Sequence, residues 1–147
     1  MKPLPGAVLF EALKDEDCII MAVNARITKG LLKGIFRAAK EADSAVIFEL
    51  AKSECNQHRG YTGHTPNTYA KECIKASDGF DAWALHADHI TIQKGTAEDI
   101  QDTKDLITAQ IQAGYTSFAI DASFLFNEKG KNVGEQLGEN VRINTEM

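Results

Sequence analysis

Four short apolar runs, each followed by a longer segment with helical spacing, predict an α/β fold built from parallel strands. The runs lie at residues 18–24, 44–50, 82–88 and 116–123, and the intervals between them are long enough for crossover helices. A strand, a helix and a following parallel strand form a right-handed unit that keeps consecutive strands in one sheet. An open doubly wound sheet and a closed barrel both fit this order of elements.

The first half of the chain contains two of the predicted strand–helix units. Residues 6–14 predict a short helix beneath the sheet, and CIIMAVN at 18–24 is the first strand. A helix over 28–42 follows, then the second strand SAVIFEL at 44–50 and a polar stretch over about 51–65. The apolar residues assigned to the buried face of the first crossover helix are Ile27, Leu31, Ile35, Ala38 and Ala42.

Capping residues mark both ends of the next helix. Thr65 is a suitable N-cap, and Pro66 fits the first helical position because the amide hydrogen that it lacks is not needed there. Gly79 is placed to end the helix. The third strand, AWALHAD at 82–88, follows after this glycine.

The last third of the chain repeats the same order. Thr96 is expected to cap a helix that Gly114 ends, and TSFAIDAS at 116–123 is the fourth strand. A last helix begins at about Asn132 and has only a weak apolar pattern. The apolar residues assigned to buried faces are Ile100, Ile107 and Ile111 in the first of these helices, and Leu137 and Val141 in the second.

Composition restricts the class of protein. With 147 residues, of which 44% are hydrophobic and 25% charged, the sequence predicts a single soluble domain over residues 1–147. The net charge of −5 argues against a nucleic-acid or anionic-membrane partner. No apolar run approaches the ~20 residues of a membrane span, and the N-terminus lacks a secretory signal. Three widely spaced cysteines disfavour a disulfide framework and favour a reducing cytoplasm.

Polar side chains cluster at the carboxyl ends of all four predicted strands. Ligands of α/β folds bind at this edge of the sheet, and the catalytic residues of barrels come from several strand ends. The alternative is that strand ends are only the places where the chain meets water. The polar residues at or just beyond these ends are Asn24, Glu49, Ser53, His86, Asp88, His89, Asp121 and Ser123.

Side-chain alternation refines this prediction. His86 and Asp88 share one face of the third strand, and Asp121 and Ser123 share one face of the fourth. Strict alternation would turn His89 towards the helices, so it can reach a site only if the strand ends at Asp88 and the backbone turns. Because burial of an unpartnered carboxylate costs several kcal/mol, we expect a metal, hydrogen bonds or open water at these acids.

The loop after the second strand contains a Cys-x2-His-x5-His pattern formed by Cys55, His58 and His64. These are metal-binding residue types, but no fourth ligand follows at a useful distance. The favoured interpretation is therefore that they are ordinary loop residues.

The segment LHADHI at 85–90 resembles the His-x-Asp-His signature of the class II fructose-bisphosphate and tagatose-bisphosphate aldolases. The resemblance extends to the first four strands of that family and covers nearly the whole chain. It implies a (β/α)8 TIM barrel of which about four βα units, the N-terminal half, are present. The further matching segments are MAVNA (21–25), AVIFELAKSE (45–54), GYTG (60–63) and AGYTSFAIDASFLF (113–126).

The resemblance implies a lyase of carbohydrate metabolism, such as glycolysis, that uses Zn²⁺ or another divalent cation. Its reaction would be the reversible cleavage of a ketose bisphosphate to dihydroxyacetone phosphate and an aldehyde. His89 and Asp121 would bind or position the metal, and Asp88 would be the catalytic acid/base. The resemblance assigns Asn24, Ser53 and Ser123 to the substrate, and His86 to a position that supports the metal ligands.

The sequence also departs from the family pattern. Ala51 stands where the family usually has a serine, and Glu49 stands where a neutral amide is common. The family's other zinc-binding histidines, its second catalytic carboxylate and its phosphate-binding loops lie beyond the matched region. We therefore expect the chain alone to be inactive, and to pair with a complementary half-barrel or with copies of itself. The alternatives are a non-catalytic subunit or truncated fragment that supports a partner's fold, and a flavodoxin-like open sheet.

Overall fold

The computed structural model describes residues 1–147 and contains one four-stranded parallel sheet in the order β1-β2-β3-β4. Each strand pairs with the next strand along the chain, and helices connect them, as in one half of a (β/α)8 barrel. The predicted fold class is therefore confirmed. The strands are β1 (Met21–Val23), β2 (Val46–Ala51), β3 (Trp83–Thr91) and β4 (Ser117–Asp121).

Five α-helices accompany the sheet, and a short 3-10 turn at Ser123–Leu125 follows β4. None of the helices combines the length and the apolar composition that a membrane-spanning segment requires. The helices are α1 (Gly6–Leu13), α2 (Leu31–Glu41), α3 (Pro66–Ser77), α4 (Ala97–Ala113) and α5 (Val133–Glu146).

The predicted capping residues determine where these helices begin and end. The Thr65 side chain accepts a hydrogen bond from the backbone N–H of Thr68 at the start of α3, and Pro66 is the first helical residue. Thr96 and Asn132 cap α4 and α5 in the same way. Gly114 ends α4 with a φ of 96°, a left-handed conformation that glycine adopts without steric cost.

The main core lies between the sheet and the helices. Trp83, Leu85 and Ala87 alternate along β3, and all three are fully buried on the side that α2, α3 and α4 cover. The rings of Phe36 and Trp83 meet edge to face, with centroids 5.3 Å apart. This packing confirms the predicted assignment of the helix-facing side of β3. The residues that the helices contribute include Leu32, Phe36, Tyr69, Cys73 and Leu106.

The buried face of α2 differs from the prediction. Leu32, Phe36 and Ala39 face the core, whereas Ile27 and Leu31 are exposed. Both sets have helical spacing because the sequence places apolar residues on adjacent rows of this helix, so periodicity alone could not choose between them. The helix starts after Gly30, whose φ is 83°, and the row that contains Leu32 faces the core.

The buried face of α4 also differs from the prediction. Thr103, Leu106 and Gln110 are buried there, while Ile111 is 58% exposed and Ile107 only partly buried. Two of the inward positions are polar, so a pattern based on apolar residues could not identify this face.

The predicted helix beneath the sheet is also present. Leu9 of α1 packs against Ile47 of β2 and Ala84 of β3, near the amino ends of both strands. The backbone N–H of Leu4 donates to the carbonyl of Trp83 at 2.7 Å and fixes the segment there. As a result, α1 covers the amino end of the inner face, and the carboxyl end stays uncovered.

A β-bulge interrupts the pairing of β3 with β4. Ala87 pairs with Phe118 and Ile90 pairs with Ile120, so three steps on β3 correspond to two on β4. His89, inside the bulge, has a φ of 41°. The strand thus continues past Asp88 to Thr91 instead of ending there, and the bulge provides the turn that the sequence analysis required of a strand end.

Candidate active site

Three side chains from β2 and β3 converge at the carboxyl end of the inner face. Glu49 is paired in register with His86, and Asp88 lies two residues beyond His86 on the same face of β3. One ligand atom from each of these three residues lies within 4.8 Å of the others. Of all the His, Cys, Asp and Glu side chains in the chain, these form the one group of three whose ligand atoms come this close together.

The bulge brings His89 to the same carboxyl end of the inner face. Its Nδ1 atom lies 2.9 Å from Oδ2 of Asp121, and its Nε2 atom lies 3.9 Å from Oδ1 of Asp88. The hydrogen bond to Asp121 and the charge of Asp88 raise the pKa of His89. Hydrogen bonds from Ser123 and from His89 lower the pKa of Asp121. The structure therefore places Asp121 where it orients the imidazole of His89.

Ser123, predicted to contact substrate, holds Asp121 through its backbone. Its backbone N–H donates to Oδ1 of Asp121 at 2.9 Å, in the turn that follows β4. Asp121 is thus held from two sides, by Ser123 and by His89. A substrate contact of the exposed Ser123 stays a prediction.

His86 has a more central position than the sequence predicted. Its Nδ1 atom lies 2.8 Å from Oγ of Ser117 on β4, which leaves the other ring nitrogen without a protein partner. A histidine that is held through one nitrogen can present the other to a metal or a substrate. The structure brings His86 next to Glu49 and Asp88, so its predicted supporting role is one of two that the geometry permits.

Glu49 is a half-buried carboxylate that accepts no hydrogen bond from any protein group. Burial and the neighbouring negative charge of Asp88 raise its pKa. A carboxylate in this setting favours either a bound proton or a cation, because both remove the uncompensated charge.

Asn24, predicted to contact substrate, lies in a different cluster. Its side-chain amide donates to Oε2 of Glu54 at 2.6 Å. Glu54 is 3% exposed and also accepts from Arg26 and from the hydroxyl of Tyr61, both at 2.6 Å. Burial alone would raise the pKa of Glu54, but these hydrogen bonds outweigh burial and lower it. The Asn24 amide is therefore used to hold the loop after β2.

Sequence analysis did not identify Glu54 as an important residue. The available signal was the acid Glu54 at the end of AVIFELAKSE together with Tyr61 of GYTG, seven residues further on. Periodicity cannot detect such a contact because both residues lie in a loop.

Ser53 lines a polar cavity of about 440 Å³ between the loop after β2 and the start of α4. None of Glu49, His86 and Asp88 lines this cavity. Lys52, which also lines it, is held by Asp102 at 3.2 Å and by the hydroxyl of Thr103 at 2.9 Å. The structure therefore does not bring Ser53 to the cluster on β3, and its contact with substrate stays a prediction.

The Cys-x2-His-x5-His pattern does not form a metal site. Burial raises the pKa of the Cys55 thiol to about 12, which disfavours the thiolate that a metal requires. His58 is exposed and lies 3.9 Å from Asp102. The interpretation of these residues as part of an ordinary loop agrees with this geometry.

The sequence profile described as fructose-bisphosphate aldolase class-II matches residues 6–147. The chain belongs to the class II fructose-bisphosphate aldolase family. The family assignment agrees with the half-barrel and with the position of the His-x-Asp-His segment on β3. No curated protein matches the sequence.

The fold of this family member is similar to that of a solved structure described as a probable tagatose 6 phosphate kinase from Sinorhizobium meliloti 1021. The TM-score is 0.62 at 18% identity, over 86% of this chain and 34% of that one. The chain thus spans about a third of the length of that structure. At this level of identity, the similarity describes the shared fold.

Class II aldolases generally depend on a metal, and the side chains at the carboxyl end of the inner face fit a divalent cation. An imidazole oriented by a carboxylate, as His89 is by Asp121, is the usual setting of a metal-binding histidine. Carboxylate oxygens of Asp88 and Glu49 lie nearby and supply the negative charge that a cation needs.

Proposed function

We propose that the chain supplies half of the active site of a metal-dependent lyase that cleaves a ketose bisphosphate to dihydroxyacetone phosphate and an aldehyde. The observation that carries this proposal is the placement of Asp88 beside His89 Nε2, with His89 held by Asp121 on the next strand. The family assignment supports the same reaction class.

Asp88 is the group that we assign to proton transfer. Its carboxylate accepts no hydrogen bond from the protein, and its Oδ1 atom lies 3.9 Å from Nε2 of His89. A free carboxylate within hydrogen-bond reach of a substrate hydroxyl can take its proton as the carbon–carbon bond breaks. In the reverse direction, the same carboxyl returns the proton to the new alcohol.

His89 is the residue that we assign to the metal. Its Nδ1 atom is engaged by Asp121, so Nε2 is the nitrogen left for a cation. A bound divalent cation would supply Lewis-acid stabilisation of the enediolate charge that cleavage produces. The raised pKa of His89 means that a proton competes with the cation, so metal affinity should increase with pH.

A second half-barrel is the partner that we propose. Large apolar side chains are exposed at both open sides of the half-barrel, which agrees with a surface that another protein segment covers. The covering segment is either further barrel units or another copy of this chain. The exposed residues are Ile19 just before β1, Met21 in β1, Phe124 in the turn after β4, and Val133 and Val141 in α5.

Complementation tests the proposal. The 147-residue chain would be mixed with a separately expressed C-terminal half of a class II aldolase, and cleavage of fructose 1,6-bisphosphate with Zn²⁺ would be followed by a coupled NADH assay. We expect activity from the mixture and from neither half alone. Asp88→Ala should reduce kcat about 10²–10⁴-fold. Exposed Glu128→Gln is the matched control and should leave kcat unchanged.

The exposed apolar sides also favour a second candidate function, a non-catalytic subunit that stabilises an aldolase partner. A complemented barrel that forms, binds Zn²⁺ and cleaves no ketose bisphosphate would support this candidate and contradict the lyase proposal.

A further inference from the structure

We propose that Glu49, His86 and Asp88 form a second divalent-cation site, separate from the metal position assigned to His89. The site lies between β2 and β3 and needs neither substrate nor a second half-barrel. It goes beyond the proposed lyase reaction and shares one residue with it, Asp88.

The backbone fixes the geometry of this site. Glu49 and His86 are directly paired on neighbouring parallel strands, and Asp88 follows His86 by two residues on the same face. Zinc binds nitrogen and oxygen ligands at about 2.0–2.2 Å, so two ligands of one ion lie at most ~4.4 Å apart. The three ligand atoms already lie within 4.8 Å of one another, and small side-chain rotations would bring all three onto one ion.

The charge of the site provides an independent argument. No Lys or Arg side chain forms an ion pair with Glu49 or Asp88; Arg26 pairs with Glu54, and Lys52 pairs with Asp99 and Asp102. Neither carboxylate accepts a hydrogen bond, although both are half-buried. Two close carboxylates that have no Lys or Arg partner are unfavourable unless a cation or a shared proton lies between them.

His86 is oriented for this role. The hydrogen bond between its Nδ1 atom and Oγ of Ser117 fixes the ring, which is the arrangement typical of metal-binding histidines. One imidazole with two carboxylates suits Zn²⁺, Co²⁺ or Mn²⁺ better than Ca²⁺ or Mg²⁺, which prefer oxygen ligands alone. A cation at this site would fix the direction of the Asp88 carboxylate beside His89.

Co²⁺ binding to the full 147-residue chain tests the inference, with visible absorption and calorimetry as the two measurements. We expect one Co²⁺ per chain, with affinity reduced at least tenfold in Glu49→Gln and in His86→Asn. His89→Ala should change the affinity less than threefold, and Glu128→Gln, an exposed carboxylate, should not change it. Far-UV circular dichroism of each variant distinguishes loss of ligands from loss of fold.

Two results would overturn the inference. The first is wild-type chain that binds no Co²⁺ at millimolar concentration. The second is binding that survives Glu49→Gln and is lost in His89→Ala, which would place the only cation at His89. The second result would leave the proposed lyase function standing, whereas failure of complementation would leave this binding experiment unaffected.

Discussion

The imidazole of His89 and the carboxylate of Asp121 meet at 2.9 Å across a β-bulge, and this contact joins the ends of two neighbouring strands. The pair exists because the bulge turns His89 out of strict alternation, with a φ of 41°. Without the extra residue, alternation would point this ring towards the helices.

We expect Asp121→Asn to lower the pKa of His89, because the hydrogen bond and the negative charge that stabilise the imidazolium are both lost. NMR titration of the histidine ring protons would measure the change. Thr91→Val is a control, because Thr91 donates to the backbone carbonyl of His89 and not to its ring. An unchanged His89 pKa in Asp121→Asn would contradict the observed pair.

The same pair gives stability a defined pH dependence. The folded-state pKa of His89 is raised, so its contribution is fully present below the ordinary histidine value of about 6.5 and is lost as pH rises through the folded-state pKa. Urea unfolding of wild type and Asp121→Asn should therefore differ more at about pH 6 than at pH 9. Equal differences at both values would show that the pair does not contribute.

Glu54 should give the folding stability the opposite pH dependence. Its folded-state pKa is lowered, so its stabilisation is present above the ordinary glutamate value and is lost as pH falls through the folded-state pKa. We expect Glu54→Gln to lower the free energy of unfolding by about 1.5–3 kcal/mol at pH 7, because hydrogen bonds to a charged acceptor are lost. The difference from wild type should shrink towards pH 3, and a constant difference would count against the charged cluster.

Alanine should destabilise the fold more at Gly60 than at Gly63, for a steric reason. A Cβ atom there would lie 2.3 Å from the carbonyl oxygen of Glu54, whereas one at Gly63 would meet no atom within 4 Å. Both glycines have positive φ, so alanine costs about 1–2 kcal/mol at either position. Gly60→Ala should cost on the order of 1–3 kcal/mol more. Equal unfolding midpoints for Gly60→Ala and Gly63→Ala would contradict the close contact.

The corrected face of α2 can be tested by two adjacent leucines. Leu32 is fully buried, so Leu32→Ala should cost about 2–5 kcal/mol through lost burial and a cavity. Leu31 is 46% exposed, so Leu31→Ala should stay within about 0.5 kcal/mol of wild type. Chemical denaturation would measure the stability of both variants. A larger loss in Leu31→Ala than in Leu32→Ala would support the face predicted from the sequence.

The elements of the fold were predictable where a local residue determines them. Thr65, Thr96, Asn132 and Gly114 act through contacts within one turn, so their sequence signals were sufficient to place helix ends. The inner face of β3 was predictable because alternation has a fixed period of two.

The remaining features depend on contacts that are distant in sequence. The bulge at His89 is defined by pairing with β4, which the pattern of β3 alone does not contain. The role of Asp121 in orienting His89 follows from that pairing, as does the approach of His86 to Ser117. The convergence of Glu49 with His86 and Asp88 required the β2–β3 register, although the sequence had already placed all three at strand ends.

The order of the sheet follows the order of the chain, so each new strand is added at an outer edge and none is inserted between strands already paired. Synthesis from the N-terminus produces the segments in this same order, so each strand is made after the neighbour to which it first pairs. Translation and assembly can thus proceed in one direction, and the chain needs no rearrangement of earlier pairings to reach its native topology.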